Sequence, residues 1–314
     1  GESDGAQKIY EQISFAASND MPVLITGEPG TGKSTIAKLI HRLSRRRNLG
    51  RFCVLHPGLS NDEQVYVELF GARKGAYTGL TENRTGLVEF ANKGTLFLDD
   101  VTDFTPNIQV LLLRVLEEKK FRRLGETDDR ISDFRLISAT NQNPEKLVNE
   151  GKLRFDFFSR IARLTIYVPP LRKRKNDIVP LAEHILRKIS SDNNSSELQL
   201  SPECYEYLVN ETWRGNIREL LAALERAYHF AIYEGSGVIL PKHFQFCALG
   251  DASIEKPLGL NEAVDEFRKS LILKKLIEAD WNISETARQL RIDRNQLRRY
   301  VSRYGLQSRK SEIS

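Results

Sequence analysis

Residues Gly27, Glu28, Pro29, Gly30, Thr31, Gly32, Lys33 and Ser34 follow the pattern GxxxxGK[ST]. Three glycines at this spacing let main-chain N–H groups wrap a phosphate chain at a helix start, where the helix dipole favours anions. Lys33 then suits the β- and γ-phosphates and Ser34 suits Mg2+, so residues 27–35, ending at Thr35, form a candidate nucleotide cradle. Downstream, Gly94-Thr-Leu-Phe-Leu-Asp99-Asp100 is an apolar run ending in two acids. Asp99 is placed to join the Mg2+ shell and Asp100 to polarise an attacking water. Ser138-Ala-Thr140-Asn141 closes another apolar run with polar groups, and Asn141 is the candidate sensor of the γ-phosphate. The chemistry these residues imply is transfer of a phosphoryl group from a bound nucleotide to water.

A second set of residues carries charge instead of catalysis. Between Arg288 and Lys310 there are eight basic residues and one acid, Asp293. The whole chain has 47 Lys and Arg against 42 Asp and Glu. Most of that surplus of five therefore sits in the last sixth of the sequence, a footprint that suits nucleic acid. Asn282 to Leu290, a short break, and Arg294 to Val301 are predicted as helix, turn, helix. Ile283, Ala287 and Leu290 share one face of the first helix, and Leu297, Tyr300 and Val301 one face of the second. The opposite face of the second carries Arg294, Asn295, Arg298, Arg299 and Arg303, suited to phosphates and base edges in a major groove. A basic helical bundle with no role on DNA is the plainer reading of the same residues.

The elements that must position these groups follow from patterning. Apolar strands are expected at Pro22 to Thr26, Thr95 to Leu98 and Arg135 to Ala139, with a helix from Ser34 to Leu43. Strands alternating with helices predict an α/β parallel sheet over residues 1–171. Pro169-Pro170 and the basic run after it break that pattern, and residues 172–249 are expected to form a small helical domain. Residues 250–257 are polar and rich in turn formers, a linker, and residues 258–314 are expected to be all-α. At 314 residues, 40% hydrophobic and 28% charged, the chain can bury a real core, which excludes a disordered protein. No apolar run approaches the roughly 20 residues that span a bilayer, and the start has no signal-peptide pattern. Cys53, Cys204 and Cys247 lie too far apart for a metal knuckle and are expected to be reduced, in a cytoplasmic protein.

Taken in order, these segments resemble an AAA+ P-loop ATPase, and more closely the bacterial enhancer-binding proteins, the sigma-54-dependent (NtrC-class) activators. Glu68-Leu-Phe-Gly71 followed by Gly75-Ala76-Tyr77-Thr78-Gly79-Leu80 resembles the family's GAFTGA surface loop, which implies contact with sigma-54. Gly151-Lys-Leu-Arg154-Phe-Asp156-Phe-Phe-Ser-Arg160-Ile is similar to the segment whose arginines reach a neighbouring subunit's γ-phosphate. Arg160 is the first choice for that finger and Arg154 the second; either would otherwise be an interface ion pair. Val168-Pro-Pro-Leu-Arg172 with Asp177-Ile178 matches the passage into a helical lid. Trp213-Arg-Gly-Asn-Ile-Arg218-Glu-Leu resembles WPGN[IV]REL, which implies that Arg218 is the lid arginine that senses the phosphates. The C-terminal block resembles a Fis-type helix-turn-helix. The resemblance implies ATP and Mg2+ as cofactors, and DNA, sigma-54 RNA polymerase and further copies of the chain, from a dimer to a hexameric ring, as partners.

Several positions depart from the family pattern. Asp100 stands where Glu is usual, and His56 where Asn usually restrains that Glu. Asp is shorter by about 1.5 Å, so slow turnover is expected unless the backbone compensates, with His56 reaching across to Asp100. Tyr77 and Leu80 replace Phe and Ala of the surface loop, Arg214 a proline of the lid motif, and Arg291 a turn glycine. Members commonly carry a receiver or sensing domain first; none precedes the P-loop here, and Gly1 in place of Met suggests a processed or shortened chain. The expected function is an ATP-hydrolysing activator that remodels sigma-54 polymerase. An ATP-switched DNA-binding regulator, or an AAA+ remodeller acting without sigma-54, are the alternatives.

Overall fold

A computed structural model describes residues 4–56, 61–77, 80–192 and 198–248, and, further on, 269, 272–273, 275–276, 279, 281–290, 292–304 and 306. Residues up to Cys247 form one compact unit, and those from Ala248 a second. In the first, five strands make a parallel sheet in the order β2-β3-β4-β1-β5. They are β1 (Val23–Thr26), β2 (Phe52–Leu55), β3 (Thr95–Leu98), β4 (Arg135–Thr140) and β5 (Leu164–Tyr167). The three expected strands are present, and β2 and β5 complete the sheet at its two edges.

Each central strand is a short unbroken apolar run because helices cover both faces of a parallel sheet. Successive side chains point to opposite sides. Val23, Ile25, Phe97 and Ile137 therefore pack with Ile9 and Ile13 of α1 (Asp4–Ala17) and with Ala37 and Ile40 of α2 (Lys33–Leu43). Leu24, Leu96, Leu98 and Leu136 face the other layer. There they meet Leu69 of α3 (Asp62–Phe70), Leu112 of α4 (Pro106–Glu118) and Phe157 of α5 (Phe155–Ile161).

The helical lid comprises α6 (Ile178–Asp192), α7 (Pro202–Asn210), α8 (Asn216–Tyr233) and α9 (Pro241–Ala248). Ile178, Leu208, Trp213, Leu220, Leu224 and Tyr228 form its core. A two-residue parallel pair, Gln199–Leu200 with Val238–Ile239, is its small β element. Two antiparallel hairpins project from the α/β part: Gly71–Ala72 with Arg84–Thr85, and Lys120–Phe121 with Arg130–Ile131. They are tied together, Arg73 N donating to the Leu124 carbonyl at 2.9 Å and Leu124 N to the Gly71 carbonyl at 3.0 Å.

In the second unit α10 (Ile283–Gln289) and α11 (Arg294–Arg303) are each capped by a side chain at the residue before, Asn282 and Asp293. Buried Ala287 and Leu297 join Ile283, Leu290, Tyr300 and Val301 in one small core, the two faces that periodicity predicts. The linker at 250–257 and Arg291 lie outside the described residues. Among the described residues no helix is long and apolar enough to cross a membrane.

Leu98 is fully buried one position before the acid pair. Leu98→Ala should cost about 2–5 kcal/mol, as large-to-small core changes do. Urea unfolding of the two proteins checks this; a loss well under 1 kcal/mol would show that β3 is not anchored by its apolar run.

Candidate active site

Parallel strands bring their C-terminal ends to one rim of the sheet, and the polar residues cluster there. A cleft of about 890 Å3 opens at that rim. Its walls are the loop at residues 29–35, Asp99 and Asp100 after β3, Asn141 after β4, part of α1, and the lid residues Arg174, Ile217 and Arg218. The sequence places Gly27, Gly30 and Gly32 in this loop, and all three take positive φ. Gly30 decides the packing: a Cβ there would lie 2.3 Å from the Gly215 carbonyl oxygen, so no side chain fits between loop and lid.

Buried Lys33 donates from Nζ to the carbonyls of Gly27 at 2.9 Å and Glu28 at 3.2 Å. Burial lowers its pKa, opposed by the attraction of Asp100 and Asp99. Ser34 Oγ donates to Asp99 Oδ2 at 3.2 Å. A hydroxyl and a carboxylate side by side, next to a second acid, form the hard-oxygen donor set that Mg2+ takes. Asp100 Oδ1 is buried with no hydrogen-bond partner among the described residues, which fits an acceptor waiting for a donor such as water. Burial is the main force raising the Asp100 pKa, and Asp99 adds to it; Lys33 and the Asn141 main-chain N–H oppose. Thr140 Oγ1 lies 2.9 Å from Thr102 Oγ1, so the end of β4 is bonded to the turn after the acid pair.

His56 requires a correction. It was expected to reach Asp100, but its Nδ1 lies 3.7 Å from Asp99 Oδ2. The register explains this: Leu55 pairs with Leu98, so the next residue, His56, stands beside Asp99. Asp100 has meanwhile turned into the left-handed region, with φ 44° and ψ 55°. Aspartate is among the few residues with a Cβ that tolerate that conformation. The direction of the short acid is thus set by a left-handed turn.

The other expected residues fall in three places. Arg218 is exposed on the cleft wall, where its charge acts on Lys33. Arg154 and Arg160 are not among the cleft-lining residues. Arg154 pairs with Asp156 at 2.6 Å, and Arg160 Nη2 donates to the Leu116 carbonyl at 3.0 Å beside a separate cavity of about 450 Å3. In the hairpin segment, Gly75 N donates to the Leu80 carbonyl at 3.0 Å and Leu80 N to the Tyr77 carbonyl at 3.2 Å, leaving the Tyr77 side chain exposed. Ala76 packs near Gly125 of the second hairpin, while Thr78 and Gly79 lie outside the described residues. Arg294, Asn295, Arg298, Arg299 and Arg303 are all exposed on α11.

Sequence reasoning missed two groups. One is the apolar wall of the cleft, with Ile9, Tyr10 and Ile13 of α1, Leu39 of α2, and Pro180, Leu181 and Leu221 of the lid, able to hold a flat aromatic ring. The apolar periodicity of α1 was the available signal. The other is a polar contact between loop and lid. Glu28 pairs with Arg172 through two hydrogen bonds, one of 2.7 Å, and Asn216 Nδ2 donates to Glu28 Oε2 at 3.2 Å.

Fold and site together define an AAA+ module, an α/β P-loop core with a helical lid over its nucleotide cleft. The model of the "Sigma-54 interaction domain" matches residues 1–167, that of the "AAA+ ATPase lid domain" residues 172–256, and that of the "Bacterial regulatory protein, Fis family" residues 263–304. The chain belongs to the sigma-54-dependent transcriptional activator family, with an AAA+ domain and a DNA-binding helix-turn-helix. It is 34% identical over 302 residues to the phenol regulator MopR of Acinetobacter guillouiae, covering 94% of this chain and 54% of MopR. It is 37% identical over 314 residues to the regulatory protein AtoC of Escherichia coli, covering 97% and 67%. The Nif-specific regulatory protein of Herbaspirillum seropedicae is 40% identical over 226 residues, 72% of this chain and 42% of that protein. The chain thus spans about half the length of MopR, and 42% and 67% of the Nif-specific regulatory protein and AtoC. NtrX from Brucella abortus in complex with ATP superposes with a TM-score of 0.70 at 30% identity, over 98% of this chain and 69% of that one. Thermotoga maritima RuvB, at 17% identity and a TM-score of 0.51 over 99% and 90%, shares the fold.

The Arg172 guanidinium takes the Glu28 carboxyl from its ordinary 4.5 down to about 2. An acid depressed on folding stabilises the fold above its unfolded pKa, and that stabilisation fades as pH falls through the folded value. Wild type should therefore melt above Glu28→Gln from pH 7 down to about 4.5, and the gap should close toward pH 2. Thermal melts across that range check it; a constant gap would mean that the pair's charge is irrelevant.

Proposed function

We propose that this chain hydrolyses ATP as a ring, up to a hexamer, and uses the cycle to remodel sigma-54 RNA polymerase at sites chosen by its DNA-binding domain. One observation carries the reading: Lys33, Ser34, Asp99 and Asp100 meet in one cleft beneath the lid's Arg218. Mg2+, when bound by Ser34 and Asp99, supplies positive charge to the phosphates. Lys33 leaves its loop carbonyls to meet the β- and γ-phosphates, and Asp100 orients the attacking water and takes its proton. Asn141 holds Asp100 through its main-chain N–H. Arg160, or Arg154, completes the site of the adjacent copy, since neither lines its own cleft. Charge neutralisation by an arginine supplied in trans is worth about 10³–10⁵ in rate. The exposed Tyr77 and the segment from Gly75 to Leu80 are the contact with sigma-54.

Lys33→Ala should abolish ATP binding, and Arg160→Ala should bind ATP yet hardly turn over. Mixing the two should restore hydrolysis, because a mixed ring contains interfaces with both groups intact. If both proteins oligomerise and mixing restores nothing, Arg160 does not act in trans. Open-complex formation with purified sigma-54 polymerase tests the output, and its failure alongside normal hydrolysis would favour an ATP-switched regulator without sigma-54.

On α11, Arg294 stands at the helix start, where side chains reach base edges, and Arg303 at its end beside the Tyr304 ring. Arg294→Ala should lose about 1–3 kcal/mol of sequence discrimination. Arg303→Ala should weaken all sequences alike and flatten the salt dependence. Titrations on specific and scrambled duplexes decide, and equal losses on both for Arg294→Ala would refute its base contact.

A further inference from the structure

The outer side of the nucleotide loop is bonded to the lid at four successive residues. At Glu28 the carboxylate takes two hydrogen bonds from Arg172 and one from Asn216 Nδ2. At Pro29 the carbonyl accepts from Asn216 Nδ2 at 3.0 Å, and at Gly30 from the Ile217 main-chain N–H at 2.9 Å. At Thr31 it accepts from Arg174 Nη2 at 3.0 Å. Asn216 is fully buried, holds φ at 56°, and turns its Oδ1 back to accept from Leu171 N at 2.7 Å. One amide therefore joins the start of the lid, the start of α8 and the loop.

In a trans peptide the C=O and the next N–H lie in one plane and point in opposite directions. Carbonyls fixed on lid donors at residues 29 and 31 direct the amides of 30 and 32 away from those donors, while the Thr31 amide donates within the loop to the Glu28 carbonyl at 3.4 Å. Convergent amides are what binds a phosphate chain. We infer that Asn216 and Arg172 are positioning residues for nucleotide binding, which set the loop's amides through its carbonyls without touching the nucleotide. The inference rests on the cleft being a nucleotide site. It assigns the lid a second task beside that of Arg218: lid and loop form one unit, so nucleotide affinity and lid placement rise and fall together.

Asn216→Asp tests the donor, measured alone and with Glu28→Gln, which removes the like charge that the new carboxylate would face. Asn216→Asp keeps the size and the acceptor for Leu171 N, and removes the donor shared by Pro29 and Glu28. Arg172→Gln, at an exposed position, removes the bidentate pair with little risk to folding. Binding of a fluorescent ATP analogue, ATPase kinetics and nucleotide-free melting are measured for wild type, both variants and Arg172→Lys. Each variant should bind about tenfold more weakly, the loss expected for a hydrogen bond to a charged group. KM should rise with kcat at saturation unchanged, and Arg172→Lys should recover part of the affinity. Glu28→Gln combined with Arg172→Gln should be no worse than either alone. Unchanged affinity in Arg172→Gln, or a loss in kcat with KM intact, would overturn the inference. Failure of the wild type to bind the analogue would instead overturn the nucleotide reading beneath it, and the inference with it.

Discussion

Parallel register is the constraint on which the rest of the molecule depends. Ser138 of β4 is paired on one side with Leu24 of β1 and on the other with Leu98 of β3. The chain leaves each strand at nearly the same level, so the glycine loop, the acid pair and the polar end of β4 emerge on one rim. Nothing local to any of these segments places it beside the others. The burial of Val23, Leu24, Ile25, Leu96, Phe97 and Leu98 on both faces does so, because a slip of one strand would turn its apolar side chains out of their layer. The hydrophobic core is thus also the jig that sets catalytic distances, and Ser34 reaches Asp99 across 65 positions of sequence because the jig is rigid.

The lid extends the same logic to the opposite wall of the cleft. Its core is separate, centred on Trp213, Leu220 and Tyr228, while its contacts with the loop are polar and directional. Apolar contacts tolerate sliding, whereas a bidentate arginine–carboxylate pair has one good geometry. A polar seam therefore transmits position, and the apolar α1 wall opposite leaves room for a flat ring to enter.

What the sequence reveals is what is encoded within a dozen residues. The P-loop, the acid pair and the helix-turn-helix are legible because their function requires residue types at fixed local spacing. β3 is legible as an apolar run, while Phe52–Leu55 and Leu164–Tyr167, shorter on signal and at the sheet edges, were not singled out. His56 shows the limit most clearly. The family resemblance assigns it to Asp100, yet inter-strand register puts it beside Asp99. The bond from Asn216 to Glu28 spans 188 positions, and no periodicity announces it.

Asp100 sits in a left-handed turn that glutamate fills less readily, and that turn, in conjunction with the Asn141 amide, sets the direction of its carboxylate. Side chain and backbone at this position therefore fix the acid's place jointly. Exchanging aspartate for glutamate here is thus a change of backbone preference as well as of length, so reach and direction of the acid shift together.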